Sequence, residues 1–339
     1  MRKSKLLFSA LLVLTIFACQ KNENVKGEVK SDKLVVYSPN SDGLMNATIP
    51  LFEKKYGINV EVISAGTGEL FKRLQGEKNA PYADVAFGGG FATYMINGDL
   101  FQSYTSKNNS KVIDLYQNTT GYITPYVLDG SIILVNKTLA GDLGIKGYKD
   151  LLNPALKGKI VSANPTASSS AYAHLTNILN AIGNGDYENQ EAWDFVRELF
   201  SNTVVIGSSS SVWKGVRDGE YAVGLSYEDP SVTLVRDGAD VEVIYMDEGV
   251  VFLPAGAAIV KGAPNLANAQ IFMDFITSPE VQDIYGTTLT NRPVMADVKT
   301  PDFMTNISEI KLIKEDMDYV YKHKASLQDH FKDIFVDIK

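Results

Sequence analysis

The chain has 339 residues, 45% of them hydrophobic and 21% charged, with a formal net charge of −8 at pH 7. That acidity argues against nucleic acid or an anionic membrane surface as the main partner. A single cysteine excludes an internal disulfide, and the length exceeds what one hydrophobic core organises, so two lobes are expected.

The N-terminus points to export. Arg2, Lys3 and Lys5 precede an apolar stretch, residues 6–17, of signal-peptide length and short for a membrane span. It ends at Ile16-Phe17-Ala18-Cys19, which resembles a bacterial lipobox, the motif whose cysteine is lipidated and begins the mature chain. Loss of residues 1–18 removes three basic and no acidic side chains, taking the net charge from −8 to −11. Residues 19–32 are polar and aperiodic, as a flexible tether would be.

Regular patterning starts at Lys33. A strand is expected at residues 34–37, followed by a loop from Ser38 to Asp42. Met45, Ile49, Phe52 and Tyr56 then recur at helical spacing, with Pro50 inside the run and Gly57 closing it. Residues 58–63 alternate as a strand, and Gly66-Thr67-Gly68-Glu69 opens a helix with Leu70 and Leu74 on its inner face. A strand at 83–87 leads into Gly88-Gly89-Gly90. This alternation makes a right-handed α/β unit whose loops at the strand ends point at one cleft.

The second half repeats the style. Strands are expected at 132–135, 160–162, 203–206, 221–226 and 241–246. Helices are expected from Ser168-Ser169-Ser170, around Trp193, Val196 and Phe200, and at 212–217. The strand at 221–226 breaks into an exposed polar loop, Tyr227-Glu228-Asp229-Pro230. An apolar segment at 250–260, a helix at 266–277 and a helical stretch at 310–335 complete the chain. Apolar runs bounded by Gly, Asp and Pro read as strands buried on both faces, which place ligand groups in the loops at their carboxyl ends.

Two helix starts, Gly66-Thr67-Gly68 and Ser168-Ser169-Ser170, are rich in small and hydroxyl residues. A helix N-terminus carries partial positive charge and free amide donors, so it suits an anion. Plain N-capping accounts for the same residues. Glu228 and Asp229 suit sugar hydroxyls or an amine, or simply a solvated turn. Tyr227 and Trp213 suit a ligand platform or the core. Enzyme signatures are missing: GTGELF lacks the third glycine of a dinucleotide fingerprint, no P-loop lysine follows, and GLSYE lacks the last glycine of a nucleophile elbow. No cofactor is expected, and neither a secreted hydrolase nor an adhesin has a supporting motif.

The lipobox, LVVYSPN, PYADVAFGGG, VGLSYEDP, GVVFLPAGAAIVKGAPNLANAQIFMDFITSPEVQ and TNRPV together resemble the extracellular solute-binding proteins of ATP-binding-cassette importers. The resemblance is to the type II branch, which includes ferric-ion, hexose-phosphate and phosphonate binders. It implies two doubly wound α/β lobes, residues 33–127 plus 251–305 and residues 128–250 plus 306–339. Hinge strands near 126–131 and 247–252 would join them across a cleft. It also implies a monomer without enzymatic activity, held to a membrane by lipid at Cys19 and serving a permease and its ATPase.

For the ligand, the resemblance leaves two readings. In ferric members the metal is commonly held by adjacent tyrosines with a histidine and a glutamate. Here Glu228 follows Tyr227 and no histidine precedes Asp42 in the first loop, leaving Tyr227 and Glu69, or an all-tyrosine set with Tyr122 and Tyr126. The alternative is a small anionic solute, a sugar phosphate or organophosphonate. Its donors would be Ser38, Gly66, Thr67, Gly68, Ser168, Ser169, Ser170, Ser209 and Ser210, with Tyr227, Glu228 and Asp229 on the remainder. That second reading is the expectation carried forward, with capture by hinge closure.

Overall fold

A computed structural model describes residues 32–298 and 300–338; the expected signal segment, Cys19 and nearly all of the tether lie outside the described residues. In the first lobe β1 (Lys33–Ser38), α1 (Asp42–Tyr56), β2 (Asn59–Ser64), α2 (Thr67–Gly76), β3 (Val85–Gly90) and α3 (Phe91–Ile96) alternate. β1 pairs in parallel with both β2 and β3. α1 buries Leu44, Met45, Ile49 and Phe52, the stripe its spacing requires, and runs through Pro50. Gly57 ends it at φ 66°, a left-handed conformation that costs glycine no Cβ clash.

β4 (Thr124–Asn136) then serves both lobes. Up to Gly130 it pairs antiparallel with β9 (Phe252–Ile259), and from Ser131 onward it pairs with β7 (Val223–Tyr227). Between these strands run α4 (Lys137–Ala140), β5 (Ile160–Ala163), α5 (Ser169–Ile182), α6 (Gln190–Ser201), β6 (Thr203–Ile206) and α7 (Ser209–Arg217). After β7 come α8 (Glu228–Arg236) and β8 (Val241–Ile244), and after β9 come α9 (Leu266–Ile276), α10 (Pro279–Thr287) and β10 (Arg292–Pro293). The chain ends in α11 (Met317–Lys322) and α12 (Lys324–Asp337).

The two lobes share one strand order. The first runs β2-β1-β3-β9-β4 and the second β6-β5-β7-β4-β8, each with a single antiparallel strand inserted after three parallel ones. In the second lobe β5 and β7 are buried on both faces, which is why they read as unbroken apolar runs. The lobes cross at Gly130, where an added Cβ would lie 2.5 Å from the Phe252 ring, so only glycine lets the two strands approach this closely.

Three expectations need correction. Residues 227–230 are not a loop: Tyr227 is the N-cap residue of α8, and Pro230 sits in its first turn, where a missing N–H is harmless. The strand expected at 132–135 is not separate but the second half of β4. The helix expected over 310–335 begins only at Met317. Residues 311–313 instead run beside Val250, whose amide donates to the Lys311 carbonyl while the Ile313 amide donates back to the Val250 carbonyl. That pairing is long-range and leaves no local signal. α10 carries a readable one, a Ser278 cap followed by Pro279 at the first turn.

Candidate functional site

A cavity of about 650 Å³ opens between the lobes, where β4 and β9 cross. Gly89, Gly90 and Ala255 line it from one lobe, and Ser131, Ser168–170, Gly207, Ser208, Ser209 and Tyr227 from the other. Three parallel strands of the second lobe, β5, β6 and β7, each lead into a helix here, so α5, α7 and α8 begin beside it. Ligands of open α/β sheets sit at such carboxyl ends.

Two of those helix starts are rich in hydroxyls. Ser168 caps α5 by accepting the Ala171 amide at 3.3 Å, and its hydroxyl lies 3.1 Å from that of Ser170. Ser208 makes no side-chain cap on α7, and pairs instead with the Ser210 hydroxyl at 2.8 Å. The first-turn amides of α7 are therefore free of side-chain caps, while the helix ends supply partial positive charge.

α8 is different. Its N-cap, Tyr227, offers no side-chain bond, and the backbone amides of Glu228 and Asp229 face the carboxylate of Asp129 on β4 and pull its pKa down. Asp129 is the only exposed residue of β4 and opens into the cavity. Enclosure, followed by the carboxylates of Asp229 and Glu228, pushes its pKa up, the two amides pull it down, and solvent in the open cavity screens the push. For Tyr227, burial and then Asp129 and Asp229 push the hydroxyl up to about 12.

Behind α8 lies a buried ion pair. Arg292 Nε donates to both Glu228 carboxylate oxygens at 3.0 and 2.9 Å, and Nη2 donates to Oε1 at 2.5 Å. The Tyr245 hydroxyl donates to the same Oε1 at 2.6 Å, and Arg292 Nη2 reaches the Thr305 carbonyl at 2.8 Å. Both Arg292 and Glu228 are 1% exposed. The guanidinium also lies over the Phe252 ring at 5.1 Å.

Several expected ligand residues are thus placed elsewhere. Glu228 is sequestered by Arg292, and Asp229 accepts from the Thr290 hydroxyl at 2.5 Å and does not line the cavity. Ser38 is fully buried, its hydroxyl donating to the Phe87 carbonyl at 2.7 Å. Gly66, Thr67, Gly68 and Glu69 start α2 one layer back, with the Thr67 methyl beside Gly89, which does line the cavity. Ser168, Ser169, Ser170, Ser209 and Tyr227 are brought together, and Ser210 reaches the site only through Ser208. Sequence reasoning missed Asp129, although a charge in the middle of an apolar 13-residue strand is the signal for it.

The tyrosines of the ferric reading do not converge. Tyr126 is fully buried and donates to Asn40 Oδ1 at 2.7 Å, and Tyr122 stacks on Phe101. Only Tyr227 of the three lines the cavity, and the described residues contain no group of three or more His, Cys, Asp or Glu able to hold a metal ion. A larger groove of about 930 Å³ runs along the β8 edge, away from the lobe crossing and from the three helix starts.

Two α/β lobes of matching topology, crossed by shared strands over a cavity of helix ends, define a two-lobe solute-binding protein. Residues 34–287 match the bacterial extracellular solute-binding protein family, and the chain belongs to it. Its role is to capture a solute for import. It is 30% identical to an uncharacterized protein of Haemophilus influenzae, over 83% of this chain and 82% of that one. It is 28% identical to the probable ABC transporter periplasmic-binding protein y4fP of Sinorhizobium fredii, over 84% of this chain and 80% of that one. Among solved structures, the periplasmic binding protein AfuA of Actinobacillus pleuropneumoniae, with fructose-6-phosphate bound, matches at a TM-score of 0.74 and 25% identity. That match covers 89% of this chain and 98% of AfuA. The ferric binding protein of Campylobacter jejuni matches at 0.72 and 23% identity over 89% and 99%, a likeness of fold.

Proposed function

We propose that this protein captures a small solute bearing a phosphate or phosphonate group and hands it to the permease of an ABC importer. The observation that carries the reading is the pair of serine-rich helix starts, α5 and α7, opening on one interlobe cavity that, among the described residues, no lysine or arginine lines. Amide and hydroxyl donors on helix ends bind oxyanions without a formal counter-charge. The fructose-6-phosphate held by AfuA, which has the same fold, is consistent with such a solute. Bound oxyanion would draw Gly89 and Gly90 of one lobe toward Ser169 and Ser209 of the other, so closure about β4 and β9 follows binding. In this reading Cys19 anchors the protein by lipid, and the monomer docks on its permease when closed.

Isothermal titration of the purified chain with fructose 6-phosphate tests this. Saturable binding is expected, weakened roughly tenfold by Ser169→Ala combined with Ser209→Ala, since each removes a donor to a charged group. Silence toward phosphate esters and phosphonates, together with a tyrosinate colour on adding Fe3+, would overturn it.

A further inference from the structure

We propose that Asp129 selects the solute, so that the cavity takes a zwitterion: the oxyanion at α5 and α7, and a primary ammonium against the Asp129 carboxylate. This rests on the oxyanion reading above.

Among the described residues lining the cavity, Asp129 is the only charged side chain. Every other residue of β4 is buried, so this one carboxylate is presented where the strand otherwise packs. It also lies beside the amides of Glu228 and Asp229, where its charge offsets the positive end of α8 and leaves α5 and α7 to hold an oxyanion. Two neighbouring amides would not saturate it, because a carboxylate has about four lone-pair sites. The unused ones face the open cavity.

A solute that is only anionic meets this carboxylate with no basic side chain in the lining to offset it. An ammonium turns that repulsion into attraction and relieves the crowding of Asp129 by Asp229 and Glu228. A hydroxyl at the same point gains a hydrogen bond to the charge but does not neutralise it, so it is the weaker partner.

The test compares phosphoethanolamine with n-propyl phosphate, equal in length and differing in ammonium against methyl, by titration calorimetry on the purified full-length chain. The expected result is a preference for phosphoethanolamine of roughly tenfold or more, the equivalent of one good charge-assisted contact. Asp129→Asn, which keeps a capping oxygen for α8, should abolish the preference and leave propyl phosphate binding within about threefold of wild type. Equal affinity of the wild-type protein for the pair overturns the inference without any variant. Parallel loss of both ligands in Asp129→Asn also overturns it and reduces Asp129 to a helix cap. Fructose 6-phosphate binding alongside an indifferent pair sinks the selectivity alone, whereas no binding of any phosphate ester sinks the oxyanion reading as well.

Discussion

Removing the positive half of the Arg292–Glu228 pair is the sharpest probe of how the site is held. The two residues are 64 positions apart, each 1% exposed, and joined by three contacts between 2.5 and 3.0 Å. Arg292→Met keeps the apolar contact with Phe252 but strands the Glu228 carboxylate among buried groups, with only the Tyr245 hydroxyl to satisfy it. Breaking such a pair from one side costs about 3–5 kcal/mol. Because Glu228 begins α8, the amides beside Asp129 should shift too, so solute affinity falls along with stability. The assay is urea unfolding of the single variants Arg292→Met and Glu228→Gln and of the double variant. Each single variant is expected to lose about 3 kcal/mol or more, and the double variant clearly less than their sum, because neither then leaves an unpaired charge. Single losses below about 1 kcal/mol, or strict additivity, would refute the view that this pair fixes the start of α8.

Two buried groups set opposite pH slopes. Burial pushes the Glu315 carboxyl up to about 7 from 4.5, so the folded state keeps a proton that the unfolded chain releases. Stability therefore falls as pH rises through that window, by about 3 kcal/mol in all, and Glu315→Gln should flatten the slope and raise Tm at pH 8. Burial lowers the His174 ring from 6.5 to about 4, so its contribution is full above pH 6.5 and lost as pH falls through 4. Thermal melts should thus show the two slopes cancelling where they overlap, with Glu315→Gln exposing the His174 slope alone. A melt profile unchanged by that substitution would refute the assignment. Gly130→Ala drives a methyl into the Phe252 ring and should destabilise by about 1–3 kcal/mol in a calorimetric scan. Ser168→Ala removes the α5 cap and should cost about 1 kcal/mol by urea unfolding, a loss that Ser168→Asp should not show.

Much of the scaffold was legible from local chemistry. The apolar stripe of α1, the Gly57 stop and the Ser168 cap each follow from residues within one or two turns. β5 and β7 announced themselves because burial on both faces leaves no polar alternation. Four of the six serines expected as donors, Ser168, Ser169, Ser170 and Ser209, line the cavity because they start helices that follow such strands. Glu228 was misread because the groups that bury it, Arg292 and Tyr245, lie 64 and 17 residues away in segments with no periodic pattern. Pro230 compounded the error, since proline marks a turn and a first helical turn alike. Ser38 failed differently: its strand was found, but which carbonyl its hydroxyl would meet depends on β3 beside it.

The insertion of β9 between β3 and β4 has a consequence for biogenesis. The first lobe's sheet cannot close until residues 252–259 exist, although β1 to β4 are complete by residue 136. A ribosome must therefore make more than a hundred further residues before β3 gains its second neighbour. Contacts this distant in sequence slow folding, because loop-closure entropy is met before pairing rewards it. For a chain of an exported family, the delay is useful: the nascent polypeptide stays threadable while it crosses the membrane. Without β9 the first lobe's sheet leaves an edge of β3 bare, the kind of surface that recruits other chains.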